Sequence, residues 1–306
     1  MRQPAIIAVT ALVPAIWGST FVVTTELLPP DHALTNACLR ALPAGLALLA
    51  VTRQLPHPSW IGKLLIVSAL NFSIFWWLLF EAAYRLPGGV AATVGSVQPL
   101  IVFTLSALLL GTRVSILVYV AGIGGVIGVA LLALTPEASV DPVGIAAAIA
   151  GAVSMALGVV LTKRWQFPVS PLTFASWQLV IGGLLLAPAA ILIDPPMPTI
   201  SVANLAGYFY LALIGGAVTY TVWFWGVAQL GPITPTTLGF FSPVSALFLG
   251  WIILGQSMTS LQLSGVVLIV VSVAVGVWMQ RTIIAQRAQP GRGPGRAPDA
   301  LAARDI

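Results

Sequence analysis

Charge is what this chain has least of. Only 7% of its 306 residues are Asp, Glu, Lys or Arg, against 58% hydrophobic, and the mean hydropathy is +1.02. A water-soluble domain needs roughly a quarter of its residues charged to solvate its surface, so this composition excludes one. Cysteine is almost missing as well. Cys38 alone rules out an intrachain disulfide and a cysteine-based metal cluster. Histidine is confined to His32 and His57, both beside proline or acid in polar connections, and no HExxH pattern or pair of deep acids occurs. Neither a metal, a cofactor nor enzymatic chemistry is therefore expected.

The net charge of +5 and pI near 9.9 do not point to nucleic acid, because the 13 basic residues are scattered between apolar stretches and form no patch. Five of them, Arg281, Arg287, Arg292, Arg296 and Arg304, fall in a final stretch interrupted by Pro290, Gly291, Gly293, Pro294, Gly295 and Pro298. Residues 281–306 read as a disordered tail with too little apolar content to pack.

What the chain does have is apolar runs of roughly 20 residues, the length a helix needs to cross the hydrocarbon layer. Cutting at polar, Pro and Gly clusters gives ten spans, numbered 1 to 10, near residues 5–26, 33–52, 62–84, 89–110, 114–134, 143–163, 172–193, 204–228, 234–254 and 259–280. The fold expected is an all-α integral membrane protein of ten transmembrane helices. Its weakest break is Leu86-Pro87-Gly88-Gly89; without a turn there the count falls to nine. The opening run after Arg2 is of full length and lacks a small-residue cleavage site, so it reads as the retained first helix.

Basic residues set the orientation. With the amino terminus inside, Arg2, Arg53, Lys63, Arg113, Lys163, Arg164 and the Arg-rich tail are cytoplasmic, while Glu26, Asp31, Glu137, Asp141 and Asp194 lie outside. The positive-inside rule then places both termini in the cytoplasm of a multi-pass inner-membrane protein in contact with membrane lipid.

The chain also repeats itself. A shift of 144 aligns Leu86, Thr93, Gly95, Pro99, Leu105, Leu110 and Gly111 with Leu230, Thr237, Gly239, Pro243, Leu249, Leu254 and Gly255. A shift of 138 aligns Gly45, Leu46 and Leu48 with Gly183, Leu184 and Leu186. Two five-helix units follow, 1–136 and 137–280. Because five is odd, the second enters from the opposite side, and inverted repeats of this kind suit alternating access to a site at mid-membrane.

With Trp17, Gly18, Ser19, Thr20 and Phe21 in span 1, Arg40 in span 2, and the segments Leu86 to Pro99 and Leu230 to Pro243 followed by Leu-Gly pairs, the chain resembles the ten-helix EamA-type members of the drug/metabolite transporter superfamily. The resemblance implies a central cavity lined by both halves and the movement of amino acids, related metabolites or toxic compounds, usually outward. Such proteins often carry Glu directly after the Leu-Gly pairs; Thr112 and Gln256 stand there instead.

Candidate transport residues are those costly to keep in lipid. Proline frees a carbonyl and bends a helix, so Pro99 and Pro243, with Gly95 and Gly239 one turn earlier, are the expected hinges, with plain packing kinks as the alternative. Ser19, Asn71 and Gln98 are polar groups deep in their spans. Arg40 lies about 10 Å below the outer end of span 2; it holds a substrate carboxylate, snorkels outward or pairs with Glu81. Glu81 also has Arg85 four residues on, and is the one candidate for ion coupling. Among the deep aromatics, Trp17, Trp77, Trp177, Tyr220, Trp223 and Phe241 suit a cavity for bulky, apolar or cationic solutes. A small organic substrate is expected; a homodimer is compatible with the sequence but not required by it.

Overall fold

The computed structural model describes residues 3–86, 88–133, 141–255 and 258–287; Pro87, Glu137, Gln256 and the tail from 288 onward, which carry some of the readings above, lie outside them. Every regular element described is helical. Span 1 is Gln3–Leu27, span 2 Ala33–Thr52, span 5 Ile116–Ala133, span 6 Pro142–Trp165, span 7 Pro171–Ile193 and span 10 Ser260–Arg287. Among the described residues nine helices are long and apolar enough to cross a membrane, and Ile116–Leu132 is a shorter tenth. Span 10 runs seven residues into the stretch read as tail, because Ile283, Ile284 and Ala285 keep the sequence helix-compatible up to Arg287.

The other four spans are interrupted, in two matched pairs. Span 4 is two helices, Gly88–Gly95 and Gln98–Leu110, and span 9 is likewise Ile233–Leu238 and Phe241–Leu254. Pro99 and Pro243 cannot donate to the carbonyls four residues back, those of Gly95 and Gly239, and their rings crowd them. The chain crosses each break on tighter i to i+3 bonds, Val97 N to Val94 O at 3.3 Å and Phe240 N to Thr237 O at 3.3 Å. Both spans end at a left-handed glycine, Gly111 (φ 63°) and Gly255 (φ 64°), a conformation that costs glycine nothing.

Spans 3 and 8 carry the opposite distortion, a wide π-helical turn. Span 3 runs Ile61–Ser68, the π turn Ala69–Ser73, then Ile74–Arg85. Span 8 runs Val202–Ala212, the π turn Leu213–Val218, then Thr219–Leu230. The turns start at Ala69 and Leu213, again 144 residues apart (213 − 69 = 144).

Packing repeats the same symmetry. Spans 2 and 7 lie against each other, as do spans 5 and 10, and each of these pairs joins a span to its own counterpart. Span 1 packs on span 9 as span 6 packs on span 4. The chain is thus two inverted five-helix repeats. Lipid is as apolar as leucine, so helices in it associate through close van der Waals fit at small residues. A Cβ on Gly45 would lie 2.5 Å from the Val180 amide nitrogen, and one on Gly183 would lie 2.8 Å from Leu42 Cβ. Gly128 and Gly265 face each other across spans 5 and 10 in the same way.

On the face opposite the termini, His32 ties the connection after span 1 to the one after span 7. Its Nδ1 is 2.5 Å from Pro30 O and its Nε2 3.3 Å from Pro196 O. Two carbonyl acceptors are satisfied together only by the doubly protonated ring. The bond to Pro30, helped by Pro196 and the carboxylates of Asp194 and Asp31 and opposed by burial, raises the His32 pKa above 6.5.

Two outcomes follow. Gly45→Val should cost about 2 kcal/mol or more by forcing the span 2/7 seam apart, whereas Gly62→Ala, with open space around it, should be neutral or slightly stabilising; thermal unfolding in detergent reads both. A raised pKa in the folded state means that His32 contributes its stability in full below the ordinary histidine value and loses it as pH rises through the folded one. The melting temperature should fall across that window, and His32→Gln should flatten the profile.

Candidate functional site

At mid-depth, rings from both halves meet. Trp17 of span 1 lies 5.0 Å, centroid to centroid, from Tyr220 and 5.0 Å from Trp223, both on span 8, and Phe72 of span 3 lies 4.7 Å from Tyr220 and 5.3 Å from Trp76. The π turns explain the meeting. Phe72 sits within one turn and Tyr220 two residues beyond the other, and the extra residue in each turn rotates the following helix relative to an unbroken one. Trp17 is fixed by its Nε1 donating to Thr219 Oγ1 at 3.0 Å. The indole Nε1 of Trp223 is shielded and has no hydrogen-bond partner among the described residues.

Polar groups edge this aromatic wall. Arg40 reaches across from span 2, its guanidinium carbon 5.1 Å from the Trp76 ring centre and its Nη2 donating to Gly215 O, inside the span 8 π turn, at 2.8 Å. Ser19 Oγ and Tyr210 Oη share a hydrogen bond of 2.6 Å between spans 1 and 8. Asn71, fully buried in the span 3 π turn, donates to Gln178 Oε1 of span 7 at 2.8 Å. Ser154 of span 6 donates to Leu70 O in that turn at 2.9 Å.

Trp17, Arg40, Tyr220 and Trp223 therefore come together, with Ser19 joined to them through span 1 and Asn71 beside Phe72. The others stand elsewhere. Trp77 is half exposed and lines a cavity of about 310 Å³ on the face opposite the termini, with Phe80, Glu81, Asp31 and Asp194. Trp177 is buried nearer the termini, its Nε1 donating to Gln54 O at 2.7 Å and its ring 6.1 Å from Trp60. Phe241 packs into the apolar cluster of spans 5, 9 and 10, and Gln98 opens the second half of span 4. Gly95, Pro99, Gly239 and Pro243 flank the two helix breaks.

Glu81 does not pair with Arg40. Its Oε1 is 2.5 Å from Arg85 Nε, whose Nη1 also approaches Asp141 Oδ2 at 3.4 Å, and both side chains of the shorter contact are partly exposed. Asp141 caps span 6 by accepting from the Val143 amide, which lowers its pKa, with the nearby Arg85 adding to the effect. Among the described residues, no group of His, Cys, Asp or Glu is arranged to hold a metal ion.

The sequence reading passed over Tyr210, Phe72 and Gly215. For Gly215 alone the repeat held a signal, since it is the counterpart of Asn71 at a shift of 144 (215 − 71 = 144).

The EamA-like transporter family model matches residues 4–134 and 142–278, once for each repeat. The chain belongs to the EamA-like transporter family. It is 46% identical over 258 residues to Protein PecM of Dickeya dadantii (strain 3937), covering 84% of this chain and 86% of that one. To the uncharacterized inner membrane transporter YedA of Escherichia coli (strain K12) it is 26% identical over 275 residues, covering 86% and 89%. A solved crystal structure superposes with a TM-score of 0.76 over 92% of this chain and 99% of that one at 19% identity, a likeness of fold. As a family member the chain is a multi-pass membrane transporter of small solutes.

The amide pair yields a direct test. Gln178→Leu strips the fully buried Asn71 of its acceptor and should cost about 1–3 kcal/mol in thermal unfolding.

Proposed function

We propose that the chain moves bulky organic solutes, such as aromatic or branched amino acids, related metabolites or lipophilic drugs, out of the cytoplasm by alternating access around the mid-depth aromatic cluster, whose rings part to form a chamber during transport. The observation that carries this reading is that the rings at mid-depth come from both repeats, spans 1 and 3 from the first and span 8 from the second, so that relative motion of the halves opens or closes the chamber. Stacked rings favour flat, apolar or cationic bodies over sugars and inorganic ions. The paired breaks in spans 4 and 9, flanked by Gly95, Pro99, Gly239 and Pro243, are the hinges in this scheme. Both termini face the cytoplasm in it, as the placement of the basic residues supports.

Among the described residues no carboxylate lies in the chamber, and Glu81 sits in an ion pair at the far lip. Flux is accordingly expected to depend weakly on pH, or to depend on it through Glu81 alone.

In proteoliposomes, Tyr220→Leu or Trp17→Leu should cut flux of radiolabelled aromatic amino acids about five- to tenfold while leaving the purified protein monodisperse. Preference for sugars or inorganic ions would remove the reading. Flux should change less than about threefold between pH ~6 and ~8, where histidine is the side chain that ordinarily titrates. A steep dependence that survives Glu81→Gln would contradict this account of coupling.

A further inference from the structure

The two halves answer the same packing problem differently. A shift of 138 makes Gln178 the counterpart of Arg40 (178 − 40 = 138), and one of 144 makes Gly215 the counterpart of Asn71. The contact between Gln178 and Asn71 is therefore the repeat image of the contact between Arg40 and Gly215. The first is neutral and tightly enclosed. It is an amide pair with no exposed surface, supported by Thr162 Oγ1 at 3.4 Å; Asn71 Oδ1 and Gln178 Nε2 have no partner among the described residues, but any Cβ on Gly158 behind the pair would overlap Asn71 Oδ1, and neither group carries a charge.

Its image is open and charged. Where Asn71 brings a side chain, Gly215 brings none, and a Cβ there would meet nothing closer than Arg40 Nη2 at 3.5 Å. Among the described residues the guanidinium makes one hydrogen bond, to the Gly215 carbonyl, while its Nε is shielded from solvent and has no partner. The acids of spans 2, 3 and 7 and their connections are committed elsewhere or distant. Glu81 pairs with Arg85, Asp194 accepts from the Thr35 amide, and Asp31 lines the outer cavity. A guanidinium removed from water without a counter-charge is costly, and a carboxylate bound by two parallel N–H groups relieves that cost better than a carbonyl does.

Building on the chamber reading, we propose that Arg40 is the receptor for a substrate carboxylate. The substrate class is then an aromatic or bulky apolar acid, with its ring on the Trp17, Tyr220 and Trp76 wall and its carboxylate on the Nε and Nη2 edge of Arg40. Binding also has a mechanical effect. A carboxylate that takes the Nη2 hydrogen now given to the Gly215 carbonyl loosens Arg40 from the span 8 π turn, so in this scheme that hold weakens when a substrate is present. A ligand shifts a conformational equilibrium only through contacts that differ between the states, and this exchange of acceptors is such a difference.

The test uses the full chain purified in detergent with phenylacetate, phenylacetamide and benzylamine, three probes alike in ring but not in charge. Phenylacetate should raise the melting temperature and bind at least about tenfold more tightly than the other two, the difference expected for one charge-assisted contact. Arg40→Gln should abolish that preference while leaving the unliganded melting temperature equal or higher, and Arg40→Lys should keep it in weakened form. Gln178→Leu should lower stability yet preserve the preference. Phenylacetamide or benzylamine matching phenylacetate on the unaltered protein would overturn the proposal without any variant having to fold. So would a preference that persists in Arg40→Gln, as would stabilisation by acetate equal to that by phenylacetate, which would mark a general anion site. Absence of the carboxylate preference in the unaltered protein, alongside flux that still depends on Tyr220, would sink this inference alone; flux indifferent to Tyr220 would sink the proposed function itself.

Discussion

In hydrocarbon there is no water to satisfy a loose backbone group, and most of the distinctive features of this protein follow from that one constraint. A straight α-helix meets it without help. Each departure from straightness frees a carbonyl that something else must occupy, so departures survive only where a neighbouring span or the chain itself supplies a donor. Ser154 supplies one to Leu70 O in span 3, and Arg40 supplies one to Gly215 O in span 8. The breaks in spans 4 and 9 are bridged locally instead, by i to i+3 bonds around Gly95 and Gly239. Four distortions in ten spans, each matched across the repeat, give the chain non-uniform helices at mid-depth, where a rigid bundle would simply fill with side chains.

The aromatic rings extend the site toward the termini. From Trp76 and Phe72 the series continues through Tyr220 and Phe224 to Phe174, Phe167 and Trp60, with successive centroids about 5–6 Å apart. These contacts form a continuous aromatic column from the mid-depth cluster to the termini side. On the opposite face, the wall near Trp77 and Glu81 is instead open and acidic. The two ends of the molecule thus present different chemistry to a solute, despite the symmetry of the backbone.

Much of the fold was legible because lipid imposes a strong and simple pattern: apolar length gave the spans, and Gly-x-x-x-Pro at a fixed shift gave the repeat and the two breaks. The site was legible in part. Trp17, Arg40, Tyr220 and Trp223 stood out as bulky or charged groups in unfavourable places, and they do converge. Trp77 and Trp177 satisfied the same criterion equally well yet stand apart, since composition cannot tell which side of a helix faces inward. The π turns left no mark in residue type. Ala-Leu-Asn-Phe-Ser and Leu-Ile-Gly-Gly-Ala-Val share almost nothing; what the two turns have in common is where they pack, against spans 7 and 2 respectively. Span 10 ran past its expected end for a related reason, because isoleucines continue a helix whether or not lipid surrounds it.

The long seams between spans 2 and 7 and between spans 5 and 10 have a geometric property of their own kind. Each joins a helix to its own image, so interchanging the shapes of the two halves carries each seam onto itself, while the contact of span 1 with span 9 trades places with that of span 6 with span 4. The glycines at Gly45, Gly183, Gly128 and Gly265 therefore sit on fixed lines of the molecule, like the pin of a pair of shears. Tight fit there holds the blades together without choosing which way they point.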